Sequence, residues 1–341
     1  KSAPYSKRCR RWCRSYCRWN FWRYHQNWKD IIMNQIELFS PASVANVSCG
    51  FDVLGFCLNS IGDIMRVSKT KTTGVTIGKV TGQNLPMDPL KNVATVAGLA
   101  LLKETHSEFG FQIDINKKIN PGSGIGSSAA SAAGAVFGIN ELLGSPYTRN
   151  ELIRFAMEGE ALASGAAHAD NLAPVLLGGF TLVRSNHSLD AVKLPNPSEL
   201  IATIIHPKIE LKTLHSRAIL KTTIPLNKAT EQWGNLGAFI SALYTNDYEL
   251  LSRSIEDKVI EPYRAMLIPK FEETRQSALK AGALGSGISG SGPSIYALSK
   301  GRETAEKVGA AMGAVYKKIN LEYQLHITEI NTKGIKVLKR E

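Results

Sequence analysis

Apolar and polar positions follow two rhythms along this chain, and they divide most of it into elements. Residues 111–119 alternate with period two through Phe111, Ile113 and Ile115, as a half-buried strand does. Residues 93–105 follow a helical period, with Asn92 standing where a cap belongs. On the same reasoning 35–68 reads as short strands with turns, and 66–78 as a hairpin through Val67, Val75 and Ile77. Helices are expected at 127–143 and 149–164, the first dense in Ala and Gly and stopped by Gly144 and Pro146. Residues 175–183 read as strand, Gly-Gly, strand. Past Pro195 and Pro197 come a strand at 200–206, helices near 229–245, 248–259, 271–280 and 302–318, and strands near 295–298 and 324–330. This mixed order, without an internal repeat, predicts α+β layers. The boundary falls near 184–199, giving a first domain at 33–185 and a second at 186–341.

Composition changes that picture at one end. The formal charge is +12, yet nine Lys or Arg against Asp30 alone place +8 of it in residues 1–32. Those residues also hold Cys9, Cys13 and Cys17, together with Trp12, Trp19, Trp22 and Trp28. The sharper readings are a membrane anchor, an Arg-rich nucleic-acid arm or a cysteine site, but no His or Cys cluster completes a zinc pattern. The expectation is an upstream extension with no part in the core function. In the remainder, Cys49 and Cys57 read as small buried hydrophobes, and no apolar run approaches the roughly 20 residues of a membrane span. A cytoplasmic protein is expected, without nucleic-acid or membrane partners.

Candidate chemistry concentrates in three stretches. Pro121, Gly122, Ser123, Gly124, Ile125, Gly126, Ser127 and Ser128 follow a strand and open a helix, the order a phosphate cradle requires. Residues 40–55 are mostly small and leave Asn46 and Asp52 accessible; the plainer reading makes Asn46 a cap and Asp52 a turn residue. In the helix at 149–164, Glu158 sits four residues from Arg154 as an exposed pair, whereas Glu160 falls with Leu152, Ala156 and Ala163 on the apolar stripe. A carboxylate there needs a cation or hydrogen bonds, so Glu160 is a candidate metal ligand. His168 has no metal spacing and reads as structural. The glycine stretch lacks the Lys of a P-loop. Gly285 to Gly290 spells G-x-G-x-x-G but leads into a strand, which excludes a dinucleotide fingerprint.

Two glycine loops, one before a helix and one before a strand, suggest a different family. Residues 121–130 resemble the ATP-binding motif of the GHMP kinases, and 287–293 resemble their C-terminal glycine motif. Within that superfamily the match is to the homoserine kinases, through 41–55, 168–174, 216–220 and Glu261-Pro-Tyr-Arg264, in order along the chain from Met33. The resemblance implies a two-domain GHMP kinase fold, with an N-terminal domain like domain 2 of ribosomal protein S5 and a ferredoxin-like C-terminal domain. It implies ATP-dependent phosphorylation of the L-homoserine hydroxyl on the route to threonine, in a homodimer. Carried over, residues 121–128 would wrap the ATP phosphates, with Asn92 near the adenine, while Ser128 and Glu160 would hold Mg²⁺. Asn46, Asp52 and Asn171 would bind the amino and hydroxyl ends of homoserine, with Asp52 orienting the hydroxyl. Arg217 and Arg264 would take its carboxylate. Thr213 and Lys117 would lie near the phosphates or the rim. A sister kinase acting on another alcohol, or a non-catalytic binding protein of the same fold, are the alternatives.

Overall fold

Two long strands carry the first half of the chain in the computed structural model, which describes residues 33–165, 168–209, 211 and 213–341. β1 (Gln35–Ala45) and β2 (Leu54–Thr70) pair antiparallel, where short strands with turns were expected. The start of β1 alternates, with Ile36 and Leu38 fully buried between partly exposed neighbours. From Ser40 onward every residue is buried, so the small side chains continue the strand instead of ending it.

The expected hairpin does not form. β3 (Val75–Thr81) is separated from β2 by β4 (Gly110–Asn116), which runs antiparallel to β2 and parallel to β3. Alternation reports which face of a strand is buried, not which strand lies beside it. β5 (Phe180–Ser185) pairs with β2 and with β6 (Asp190–Lys193), and the last strand, β11 (Lys336–Arg340), returns to the free edge of β1.

Three helices pack together, the first two against this sheet and the third on them: α1 (Val93–Thr105), α2 (Ser127–Leu142) and α3 (Arg149–Ser164). The Asn92 side chain accepts from Ala94 N at α1, as its position predicts, and Thr148 and Glu151 form a reciprocal capping box at α3. α2 lies on β1 and β2 and buries nearly all its length, which its run of Ala and Gly permits. Arg154 pairs with Glu104 of α1 at 2.6 Å, not with Glu158 as helix spacing suggests, because the inter-helix partner is within reach. Residues 172–177 are a helix, α4 (Leu172–Leu177), so the strand expected from 175 begins only at β5; a short apolar run fits either state when it is buried all round.

The second sheet is antiparallel throughout, in the order β10-β7-β9-β8, with β7 Leu200–Pro207, β8 Gly285–Ile288, β9 Ile295–Lys300 and β10 Tyr323–Glu329. α9 (Phe271–Lys280) and α10 (Arg302–Lys318) cover it through a core that includes Val308, Met312 and Tyr316. Before them come α5 (Thr213–Ala218), α6 (Leu226–Thr245), α7 (Tyr248–Ser254) and the single turn α8 (Glu261–Arg264). A larger apolar core joins both sheets, with Phe56 against Phe180 at 5.0 Å and against Tyr296 at 6.0 Å between ring centroids.

Gln35–Arg340 form one unit. Beside it, Asn34 N donates to Glu341 O at 2.8 Å. The readings made for residues 1–32 lie outside the described residues. Cys49 and Cys57 are free and buried, as expected. Among the described residues no helix is long and apolar enough to cross a membrane.

Candidate active site

The glycine stretch borders a cavity of about 470 Å³. Its end at α2 is built for an anion: Gly126 is the N-cap, no side chain caps it, and the first turn carries no acid. The first amides and the positive end of the helix dipole are therefore not spent on a side chain. Gly124 has φ +81, and a Cβ there would stand 2.5 Å from Gly292 O, so only glycine lets the two glycine loops meet. Ser289 Oγ donates to Gly124 O at 2.7 Å, and Ser294 Oγ donates to Ser123 O at 2.6 Å, tying the second loop beneath the first.

Not all of the stretch faces the cavity. Pro121, Gly122, Gly124, Gly126, Ser127 and Ser128 line it. Ser123 and Ile125 are buried on the other side of the loop, beside His206 and His326. The chain turns at the positive-φ glycines Gly122, Gly124 and Gly126, and the side chains between them face away from the cavity.

Ser128 Oγ donates to Glu160 Oε2 at 2.7 Å across the start of α2. Leu152 and Ala156 are buried as the helical stripe predicts, but Ala163 is exposed and Glu160 only half-buried, because here the stripe faces the cavity. Beneath this pair Lys117 is almost fully enclosed: Nζ donates to Asp63 Oδ2 at 2.5 Å, to Ser127 O at 2.6 Å and to Ser131 Oγ at 2.9 Å. Burial pushes the Lys117 ammonium down from its ordinary range, while Asp63 opposes that. Asp63 Oδ1 accepts from Lys118 N at 2.8 Å and Ile119 N at 3.0 Å, so one buried ion pair fixes both ends of the loop. Asn92 lines the cavity beside Leu85, Pro86 and Lys91, its amide donating to Pro86 O at 2.8 Å.

The other end of the cavity is a charged cluster. Arg217 of α5 pairs with Asp52 through both guanidinium nitrogens, at 3.2 and 2.8 Å. Arg264 of α8 donates from Nη1 to Gly290 O at 2.8 Å and from Nε to Ser216 O at 3.3 Å. Phe51 lies beneath both guanidinium groups, 5.6 Å from that of Arg217 and 5.2 Å from that of Arg264. Asn46 donates to the same Gly290 O at 2.8 Å and accepts from Asp52 N at 3.1 Å, so the turn role and the cavity position coexist in one side chain. Asn171 Oδ1 accepts from Ser43 Oγ at 2.8 Å. Thr213 opens α5, and its side chain lies outside the described residues.

The structure thus brings the nucleotide-side and alcohol-side candidates to one cavity, and it adds residues that sequence reasoning left out. Asp170 is buried on the cavity wall; burial first, then the charges of Asp52 and Glu160, push its carboxyl from 3.8 up to about 7. His168 Nδ1 stands 3.6 Å from Asp52 Oδ2, and burial holds the imidazole below its ordinary range, so this residue borders the site instead of serving the core. The signal available for both was their place in a loop of small residues beside Asn171.

Comparison with known proteins agrees with this geometry. Residues 91–179 match the GHMP kinases N terminal domain, and 239–318 match the GHMP kinases C terminal model. The homoserine kinase of Chloroherpeton thalassium is 46% identical over 90% of this chain and 100% of its own length. That of Chlorobium phaeovibrioides is 44% identical over 90% and 100%. A crystal structure of homoserine kinase from Cytophaga hutchinsonii superposes with a TM-score of 0.87 at 48% identity, covering 89% of this chain and 98% of that one. The chain belongs to the homoserine kinases of the GHMP kinase family. A galactokinase of Lactococcus lactis shares the fold of this kinase at a TM-score of 0.66 and 15% identity, covering 89% of this chain and 95% of that one. The family uses ATP, so the uncapped start of α2 has an anionic ligand to meet.

Proposed function

We propose that the kinase transfers the γ-phosphoryl group of ATP to the side-chain hydroxyl of L-homoserine, giving O-phospho-L-homoserine and ADP. The observation that carries this is the single cavity of about 470 Å³ with an uncapped helix start and the Ser128–Glu160 pair at one end and the Asp52–Arg217 pair at the other. A zwitterionic amino acid suits the second end: its ammonium can replace Arg217 as the partner of Asp52, and its carboxylate can replace Asp52 as the partner of Arg217. A neutral sugar carries no charge to exchange for either partner and would leave the Asp52–Arg217 pair closed on itself.

Roles then follow from position. Backbone amides at the start of α2 and in the loop from Pro121 hold phosphate oxygens, and Asn92 keeps its loop beside the base. Ser128 and Glu160 supply two oxygen donors, a fit for Mg²⁺, which takes one or two protein ligands with phosphate and water for the rest. Among the described residues no group of three metal-ligating acids, histidines or cysteines occurs, so the pair would be the protein's share of the ion. When bound, the ion would neutralise charge on the transferred group. Arg264, with Arg217, takes the substrate carboxylate, while Asn46 and Asn171 orient its polar ends. With the substrate ammonium taking the place of Arg217 at Asp52, Asp170, between the charges of Asp52 and Glu160, is the better group to orient the hydroxyl. Phosphoryl transfer depends chiefly on alignment, which such a contact supplies. The domain division is best placed between β6 and β7, at 194–199, with β11 returning to the first sheet.

A coupled ADP-release assay with Mg-ATP and a panel of amino-acid, sugar and mevalonate-type alcohols tests the assignment. Homoserine should be strongly preferred. No turnover of homoserine would remove the proposal, and preference for another alcohol would favour a sister activity.

A further inference from the structure

The loop that presents Asn46 and Asp52 holds four non-glycine residues in the left-handed region: Asn46 at φ +71, Val47 at +45, Ser48 at +54 and Asp52 at +59. Such residues persist only where the surroundings over-determine them, and for β-branched Val47 the conformation is especially unfavourable. Something outside the loop must hold it.

The restraint sits beneath it. Ser48 is 1% exposed; its Oγ lies 2.8 Å from Tyr296 OH and donates to Glu261 Oε1 at 3.3 Å. The same Glu261 oxygen accepts from Ile288 N at 2.6 Å. Tyr296 is fully buried on β9, its ring packed against Phe56, so its hydroxyl has a fixed position under the loop. Opposite Tyr296 on β8 stands Gly287, where a Cβ would come within 2.2 Å of both Glu261 Oε1 and Ser48 Oγ. One carboxyl oxygen therefore joins the substrate loop, β8 and α8, and α8 also carries Arg264.

We infer that Glu261 is a positioning residue for substrate: through Ser48 and Ile288 N it locks the left-handed loop so that Asn46, Asp52 and Arg264 converge on the alcohol. It touches no ligand and acts through the loop. Burial first, and then the charge of nearby Asp257, push the carboxyl up to about 8, so at neutral pH it serves as an uncharged acceptor. Glutamine reproduces that acceptor, whereas alanine leaves Ser48 Oγ and Ile288 N without it.

The inference rests on the reading of the cavity as an alcohol kinase site, and its test is read on whichever alcohol the wild-type enzyme turns over best. Glu261→Ala, Glu261→Gln and Ser48→Ala are compared in full-length protein. The alanine variants should raise KM for the alcohol about tenfold or more while leaving KM for ATP within about twofold, and Glu261→Gln should restore the wild-type value to within about threefold. Amide hydrogen exchange across 46–53, measured without substrate, should quicken in both alanine variants and not in Glu261→Gln. Parallel rises in both KM values, a glutamine variant as impaired as the alanine one, or unchanged exchange in Ser48→Ala would overturn the assignment. Failure of wild-type turnover on homoserine alone would instead remove the proposed substrate, leaving the exchange comparison to judge Glu261.

Discussion

The two ends of the cavity are made of different materials. At the end proposed for phosphate the donors are backbone groups, shaped by glycines and an uncapped helix start, and the side chains around them mostly hold that shape. At the end proposed for the alcohol the lining groups are side chains, gathered from the loop at 46–52, the loop at 168–171, α5 and α8. A backbone cradle is a local property of sequence, whereas a side-chain cluster exists only once the chain has folded. Substitutions at the first end should therefore act through stability unless they strike Ser128 or Glu160. Those at the second should act on one substrate with the fold intact.

The sharpest break in this comparison is Glu160→Ala, since Glu160 accepts from Ser128 at the proposed phosphate end. Loss of a preorganised group of this kind costs about 10³-fold in kcat, with melting temperature and homoserine KM little changed. Turnover at the wild-type rate would take Glu160 out of the chemistry and leave that end wholly backbone-built. Lys117→Met comes next. It leaves Asp63 buried without its cation, and removal of one partner from such a pair costs about 3 kcal/mol of stability. Calorimetry should show the lowered melting temperature while homoserine KM stays put. A shifted homoserine KM would mean that the two ends are not separable.

Legibility in the sequence divides along the same line. The glycine stretch, the helix it opens and the cap at Asn92 were readable because turn, cap and period are encoded within a few residues. For Glu160 the stripe foretold a partner, which Ser128 Oγ is, but not that this part of the stripe faces a cavity and leaves the carboxylate half-buried. The strand order was not, since β4 inserts between β2 and β3 without any local mark. Nor was the pairing of Asp52 with Arg217, which depends on α5 coming over the first loop; only resemblance pointed to Arg217 and Arg264. Asp170 drew no role from the sequence because its raised carboxyl depends on burial and on the charges around it, neither of which a sequence displays.

Asp170 gives the next smaller effect and a pH signature. Its carboxyl is pushed from 3.8 up to about 7, by burial first and then by Asp52 and Glu160. It accepts the substrate hydroxyl more strongly once ionised, so kcat/KM for homoserine should rise with pH through about 7, and Asp170→Asn should erase that limb and lower kcat about 10²-fold. Stability runs the other way. The folded protein keeps this proton to about 7 and the unfolded chain releases it near 3.8, so this contribution falls as pH rises between those values and is level above them. A flat wild-type profile between pH 5 and about 8 would assign the hydroxyl to another group.

The smallest effect is also the most discriminating. Arg217→Lys keeps the charge but loses the fork that meets Asp52 through two nitrogens, along with the planar stacking over Phe51. If the alcohol end reads an amino-acid carboxylate by guanidinium geometry, homoserine KM should rise about tenfold while ATP KM stays unmoved. The preference for homoserine over 3-aminopropan-1-ol, the same alcohol without its carboxylate, should narrow by the same factor. A lysine variant that keeps the full preference would show that charge alone suffices, and recognition there would rest on Arg264 and the loop it shares with Asn46 through Gly290 O.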